Sequence, residues 1–514
     1  MIRLGIDVGG TNTDAVLVDG DKVRHSVKTA TTPDVGAGIV EAIRKLAAQD
    51  ASAHQADAVM VGTTHFTNAV VQRRGVGRIA AIRIGLPAAA TLEPFVDWPA
   101  DLRAMVEGPS FMIRGGHEVD GMPLAPFDRQ AMKEAARKIA DSGVEAVGVT
   151  AVFSPLNFTA EQEAAEILNS LAPNVAVTMS HELGRIGLLA RENVTLLNAS
   201  LITLARRTTD GFVKALRESG IEAALYITLN DGTVSLAEEA ARFPVHCFAS
   251  GPTNSLRGAA FLSGLREAIV VDVGGTTSDV GCLRHGFPRE ANNTVEVGGV
   301  RTAFRMPDLL SIGLGGGTIV DPADPSRIGP VSVGYQLTTR ARVFGGSDLT
   351  LTDVAVAAGL IELGDRARVA KLDRGFVDAV KGRCQTMLEE AVDRMKTDAE
   401  NQPLIAVGGG CFLVPEQMAG VSKVIHVEHQ GVANAVGAAI AQVSGEVDQV
   451  FQNLSRADAL DKARALASER AVQSGASSPT IAVVEEEDIP LSYLPGNSLR
   501  IRVRVVGDIA GASA

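Results

Sequence analysis

Two short stretches carry acids, glycines and hydroxyl side chains at matching positions. One runs Asp7, Val8, Gly9, Gly10, Thr11, Asn12, Thr13, Asp14; the other runs Asp272, Val273, Gly274, Gly275, Thr276, Thr277, Ser278, Asp279. Each follows a short apolar run, so each reads as a bend at the end of a strand. Paired glycines let backbone amides crowd an anion with no side chain in the way. Thr11, Thr13, Thr276, Thr277 and Ser278 add hydroxyl donors. Asp7 and Asp272 stand where the strands end and cannot attract an anion directly, so a cation or its waters must come between. Magnesium suits that place because it takes carboxylates, water and phosphate oxygens together. Two such loops face to face could clamp the β- and γ-phosphates of a nucleotide. The plainer reading is two β-turns, with glycines serving geometry and Asp and Thr making local hydrogen bonds. Neither stretch fits the GxxxxGKS/T or GxGxxG patterns.

A third glycine group, Gly408, Gly409 and Gly410, follows the apolar run 404–407. It would admit a nucleoside close to the backbone, or equally form a tight strand-to-helix turn. His65 and Asn68 lie in a polar stretch after another short strand. His65 could donate to a substrate or phosphate, or cap the next helix; Asn68 follows hydroxyl residues in the same stretch. His181, Glu182 and Asp308 are weaker candidates for a cleft. Arg301, Arg305, Arg340 and Arg342 could steady an anion or sit in surface ion pairs. Cys247 beside His246 reads as core, since adjacent strand residues face opposite ways.

The elements that must position these residues follow from periodicity. Residues 3–8, 15–18 and 22–28 read as a hairpin meander with the first loop at its first bend. Ile39, Ile43 and Leu46 space as one helix face. Short strands are expected at 58–62 and 79–84, and the Pro-rich segment 87–126 looks irregular. Helix 130–140, strand 146–153, helix 160–171 and strand 175–180 then alternate, which argues for α/β layers. A long helix, or two abutting ones, is expected over 191–218, a hairpin over 224–236, and the strand-loop-strand unit again over 268–283. Residues 431–443 read as a small-residue helix suited to close packing. Beyond about residue 445, a charged helix (448–473), a surface acidic run (485–488) and an edge strand (499–506) are expected.

Length and composition bound the function. The chain has 514 residues, room for two or three domains. Aromatics are only 4%, so Leu, Ile, Val and Ala must fill the interior. A net charge of −12 with no dense basic tract argues against a nucleic-acid surface. The four cysteines form no CxxC pair, and a reducing cytoplasm is expected. Asp7 interrupts the first apolar run with no basic leader before it, so neither a secretory signal nor a membrane span is expected.

Taken together, the motif order resembles the hydantoinase A and 5-oxoprolinase family, within the actin, sugar-kinase and Hsp70 ATPase superfamily. The two Asp-Val-Gly-Gly loops, the glycines at 408–410 and the stretch GVANAVGAA at 431–439 carry the likeness. VGTTHFTNAVVQR at 61–73, SHELG at 180–184, SGP at 250–252 and the stretch 295–319 are similar to family segments. The likeness covers about residues 1–445 and looks like a short variant. Where the family often has Gly-Pro-Ala-Cys-Tyr-Gly, this chain has GPVSVGYQLTTRARVFGG at 329–346, without the cysteine.

The resemblance implies an α/β fold of two ribonuclease-H-like domains of the actin-like ATPase type. The expected division is 1–190, 191–445 and a C-terminal appendage at 446–514. It implies ATP and Mg2+ in the cleft. Asp7, Gly9, Gly10, Thr11 and Thr13 would form the first phosphate element, and Asp272, Gly274, Gly275, Thr276 and Thr277 the second. Gly408, Gly409 and Gly410 would lie by the adenosine, and Asp7 and Asp272 would hold the metal. Asp7, Asp272, Thr11, Asn68 and His65 are the residues expected to carry the chemistry. The implied activity is ATP-dependent opening of a cyclic amide such as a hydantoin, oxoproline or lactam, by phosphorylation of the amide oxygen. Family members usually work with a separate B-type subunit, and a homo-oligomer stays open. Two other readings suit the same loops: a small-molecule kinase, and a nucleotide-dependent scaffold without turnover.

Overall fold

Leu4, Ile6 and Val8 alternate along the first strand and are buried, whereas Gly5 between them leaves room for a helix backbone. A Cβ at Gly5 would stand 2.1 Å from the Ala435 carbonyl oxygen. That one strand therefore carries a packed core on one face and a close helix on the other. The computed structural model describes residues 1–9, 12–30, 35–184, 186–291, 295–302, 306–397, 399–492 and 496–510. Gly10, Thr11 and Arg305 lie outside the described residues.

Two sheets repeat one topology. In the first, Ile2–Val8, Asn12–Asp19 and Lys22–Ala30 form an antiparallel meander. Ala58–Thr63 pairs parallel to Ile2–Val8, and Ala224–Thr228 pairs parallel to Ala58–Thr63. In the second, Ala268–Val273, Ser278–Arg284 and Phe287–Pro288 are antiparallel. Leu404–Val407 and Val424–His426 then add in parallel. Both sheets thus carry three antiparallel strands followed by two parallel ones, arranged so that the first strand is central. These are the two ribonuclease-H-like halves that the resemblance implies. Residues such as Val270, Val271, Ile405 and Val407 are fully buried in the second, each contributing about 1.5–3 kcal/mol.

The first half contains a further four-stranded parallel sheet, in the order Glu107–Arg114, Ile79–Leu86, Ala146–Ala151, Ala176–Met179. Its helix Arg129–Asp141 begins where the Asp128 carboxylate accepts the Ala131 N–H at 3.0 Å. The helix buries Met132, Ala135, Ala136 and Ile139, which share one face at helical spacing. The segment expected to be irregular therefore contains a helix, Ala100–Val106, and a strand, Glu107–Arg114. The segment 191–218 lies in a single helix of 31 residues, Leu188–Glu218, and not in two abutting ones.

The C-terminal part differs from the sequence reading in three respects. The small-residue helix is only Ala433–Ala439, and Val443–Phe451 is a strand, so the charged helix begins at Arg456 instead of 448. Leu499–Gly507 is not an edge: it lies between Val443–Phe451 and Ala482–Pro490. All three strands continue the first sheet, which reaches nine strands. The acidic run faces arginines: Glu486 binds Arg464 and Asp488 binds Arg456, each at 2.6 Å. No helix among the described residues is long and apolar enough to cross a membrane.

Candidate active site

The two loops share one local construction. Asp7 pairs across its hairpin with Asp14, as Asp272 does with Asp279. Gly9 N–H donates to the Asn12 carbonyl at 3.0 Å, and Gly274 N–H to the Thr277 carbonyl at 2.9 Å. Gly275, Thr276 and Thr277 are exposed, while Thr13 is buried and its carbonyl accepts the Thr29 hydroxyl at 3.1 Å. The second loop is braced from behind by Gly315, Gly316 and Gly317. Gly316 N–H donates to the Gly274 carbonyl at 3.0 Å and Gly317 N–H to the Gly275 carbonyl at 2.7 Å.

Gly408, Gly409 and Gly410 close on the same loop. Gly408 has φ +91°, and a Cβ there would stand 2.2 Å from Asp272 Oδ1. Gly410 N–H donates to the Val273 carbonyl at 2.7 Å. A Cβ at Gly409 would meet nothing within 4 Å, so only its two neighbours are demanded by packing.

Two crossing helices draw the halves together. In Ser250–Ser263 and Ala433–Ala439, glycines sit at the contact: a Cβ at Gly258 would be 2.0 Å from the Ala433 carbonyl oxygen. A Cβ at Gly437 would be 1.9 Å from the Asn254 carbonyl oxygen. This approach brings Asn434 and Ser255 between the two loops. Asn434 Nδ2 donates to Asp7 Oδ2 at 3.3 Å. Ser255 Oγ lies within hydrogen-bonding reach of both Asn434 Oδ1 and Asp272 Oδ2. One polar chain therefore joins the carboxylates of both halves. Sequence reading missed Ser255 and Asn434; the signal was a polar residue inside each small-residue helix.

Charge is concentrated here. Burial, then Asp14, pushes the Asp7 carboxyl up to about 7. Burial, with Asp279, pushes Asp272 up to about 6 even though the Ser255 hydroxyl favours its ionised form. Asp7 Oδ1 is buried with no hydrogen-bond partner among the described residues. A divalent cation would satisfy that oxygen and favour both ionised carboxylates. Among the described residues no group of three or more His, Cys, Asp or Glu gathers to hold a metal. Two carboxylates supplemented by water and phosphate are what magnesium takes, so the donor set fits it.

The remaining candidates separate. Val8 pairs with Thr63, so the start of the His65–Val71 helix lies beside the first loop. His65 Nδ1 meets Thr63 Oγ1 at 2.5 Å, and burial holds the imidazole below its usual pKa. Asn68 Nδ2 donates to Thr64 Oγ1 at 3.2 Å. His181 pairs with the buried Glu161 at 2.6 Å, Glu182 with Arg242, and Asp308 with Arg289, so these three form no common cluster. Arg301 and Arg340 pair with Glu296 and Asp348, and Arg342 Nε donates to the Ser347 carbonyl. Burial pushes the Cys247 thiol up to about 12, which suits core and not a nucleophile. Lys28, also missed, donates to Asp14 Oδ2 at 2.7 Å across the hairpin.

Known proteins share this fold. Over its full length the fold is similar to ATP-dependent caprolactamase from Pseudomonas jessenii, with a TM-score of 0.79 at 18% identity, covering 99% of this chain and 88% of that one. An acetone carboxylase chain gives 0.68 at 18% identity, over the same shares. In sequence, the chain is 26% identical to caprolactamase subunit alpha of Pseudomonas jessenii, covering 76% of this chain and 60% of that protein. It is 25% identical to the acetone carboxylase beta subunit of Xanthobacter autotrophicus, covering 76% and 59%. The chain thus spans about 60% of the length of these curated relatives. Residues 3–172 match the hydantoinase/oxoprolinase N-terminal region and residues 191–367 the hydantoinase/oxoprolinase domain. With most of its length in these two matches, the chain belongs to the hydantoinase/oxoprolinase family.

Proposed function

We propose that this chain binds ATP between the two loops and promotes phosphoryl transfer to the carbonyl oxygen of a cyclic amide, as the hydrolase or its activating subunit. The observation that carries this reading is the chain Asp7, Asn434, Ser255, Asp272, which converges acidic loops from both halves on one place. An unstrained amide resists water because its nitrogen leaves poorly. Phosphorylating its oxygen makes the carbon electrophilic, and the protein's task is positioning and charge neutralisation.

In this reading the first loop belongs to the 1–190 part, and the second loop and the 408–410 glycines to the 191–445 part. Asp7 and Asp272 hold magnesium, which when bound supplies positive charge beside the phosphate oxygens. The amides of Gly10 and Gly275 and the hydroxyls of Thr11, Thr276 and Thr277 cradle the phosphates, while Gly9 and Gly274, whose N–H groups close the two bends, and the buried Thr13 shape the loops behind them. Gly408, Gly409 and Gly410 pass beside the nucleoside. His65, held neutral by burial, and Asn68 face the substrate from beside the first loop. A B-type subunit is the expected partner, supported by relatives that are named as subunits alpha and beta. The same oxygen chemistry serves a ketone, which the carboxylase relative favours as a second substrate class. A cytoplasmic setting suits four buried cysteines that form no disulfide.

Calorimetric titration of ATP–Mg into the purified chain tests the reading, with Asp7→Asn and Asp272→Asn alongside. Both variants are expected to lose roughly tenfold or more in affinity. Undiminished binding in folded variants would remove the nucleotide from these loops. With the partner subunit present, lactam-stimulated ADP release without a stable phosphorylated product separates the hydrolase from a kinase.

A further inference from the structure

One row of the duplicated sheets differs in charge between the halves. In the first half Asp7, Asp14 and Lys28 stand opposite one another on three neighbouring strands, so their side chains share one face. In the second half the strand Leu309–Ile312 also pairs with Ser278–Arg284, and there the row reads Asp272, Asp279 and Ser311. A cation thus appears in one half where the other has a hydroxyl. Lys28 Nζ donates to Asp14 Oδ2 at 2.7 Å, with the lysine 40% exposed and the aspartate 10%. The charge of Lys28 also acts on Asp7 and on Asp272, favouring the ionised form of each. The ammonium therefore lies within electrostatic reach of both loops, across the cleft as well as along its own sheet.

We propose that Lys28 contacts the terminal phosphoryl group of the bound nucleotide, exchanging Asp14 for it. This rests on the nucleotide reading above and adds the residue that recognises the transferring group. Lys28 is half-exposed but Asp14 is buried, with no hydrogen-bond partner for its Oδ1 among the described residues, so the exchange costs the aspartate its charged partner and the contact with the phosphoryl group must offset that. Lysine suits it as a point charge on a flexible stem with three donors. During transfer a lone pair of the substrate oxygen forms the new P–O bond. The bond from phosphorus to the bridging oxygen breaks, and ADP departs with that electron pair. The Lys28 ammonium neutralises charge spreading over the phosphoryl oxygens.

The test compares ATP–Mg with ADP–Mg by calorimetry on the full chain, for wild type, Lys28→Met, Lys28→Arg and Asp14→Asn. Lys28→Met is expected to lose roughly 10- to 100-fold in ATP affinity, with ADP affinity unchanged. Lys28→Arg is expected to fall between, and Asp14→Asn to bind ATP at least as tightly as wild type. A lysine that only braces the sheet would give equal losses for both nucleotides, or none, and either result overturns the assignment. If Lys28→Met fails to unfold cooperatively, the other two variants decide: ATP binding weakened in Asp14→Asn, or ADP weakened with ATP in Lys28→Arg, overturns it. Wild type that binds ADP but not ATP removes Lys28 alone; wild type that binds neither removes the nucleotide reading as well.

Discussion

Asp7 sits where an ionised carboxylate is poorly solvated, and its carboxyl is pushed up to about 7. An unfolded aspartate ionises near 4. Between those values the unfolded chain has lost a proton that the folded chain keeps, so stability falls as pH rises across the window. Asp7→Asn removes that penalty. Thermal unfolding of the nucleotide-free protein should show a higher Tm for the variant at pH 7.5 and a flatter profile between pH 4 and 7. A slope unchanged by the substitution would mean that Asp7 does not set it. The same physics ties binding to pH, because a cation needs the ionised form. ATP–Mg affinity in the wild type should therefore climb as pH passes from 6 to 8.

At the scale of elements, glycine placement decides how close the two crossing helices come. Gly437 lies against the Asn254 carbonyl, with only 1.9 Å for a Cβ. Backbone cannot yield as a flexible side chain does, so Gly437→Ala must push the helices apart. The expected cost is about 1–3 kcal/mol in denaturant unfolding. ATP–Mg affinity should fall with it, because Ser255 and Asn434 ride on the displaced helices. Full stability with full binding would show that the contact is not needed to align the loops. The run GVANAVGAA already suggested close packing; which helix it meets was beyond local pattern, since Ser250–Ser263 lies far away in the chain.

For the whole molecule, the C-terminal strands act as a wall of the first half. Val447, Ile501, Val503 and Val505 are fully buried in a cluster that also takes in Met60 and Tyr226 from the first sheet. Arg502 also reaches Glu290, beside the second sheet, at 2.5 Å, and Arg504 meets the same carboxylate at 3.3 Å. The extension therefore touches both halves. Ending the chain after Gln442 should expose that cluster and give aggregated or non-cooperatively unfolding protein by size exclusion and near-UV circular dichroism. A monodisperse, cooperatively unfolding 1–442 chain would show that the halves stand without it.

Much of the chemistry was legible in the sequence because local rules govern it. Strand, glycine bend and strand are set by neighbours, so both loops, the long helix and most of the α/β alternation could be read from spacing alone. The 408–410 glycines were visible as a group, but not that Gly408 and Gly410 serve packing while Gly409 stays open. Terminal boundaries failed because the acids at 446 and 448 drew the charged helix back to 448, whereas Val443–Phe451 alternates as a strand paired with Leu499–Gly507. Ser255 and Asn434 left only a faint trace, a polar residue inside each small-residue helix, and Lys28 left none. Their positions depend on residues distant in the chain meeting across strands and helices, and only tertiary structure brings a serine, an asparagine and a lysine to the carboxylates of both halves.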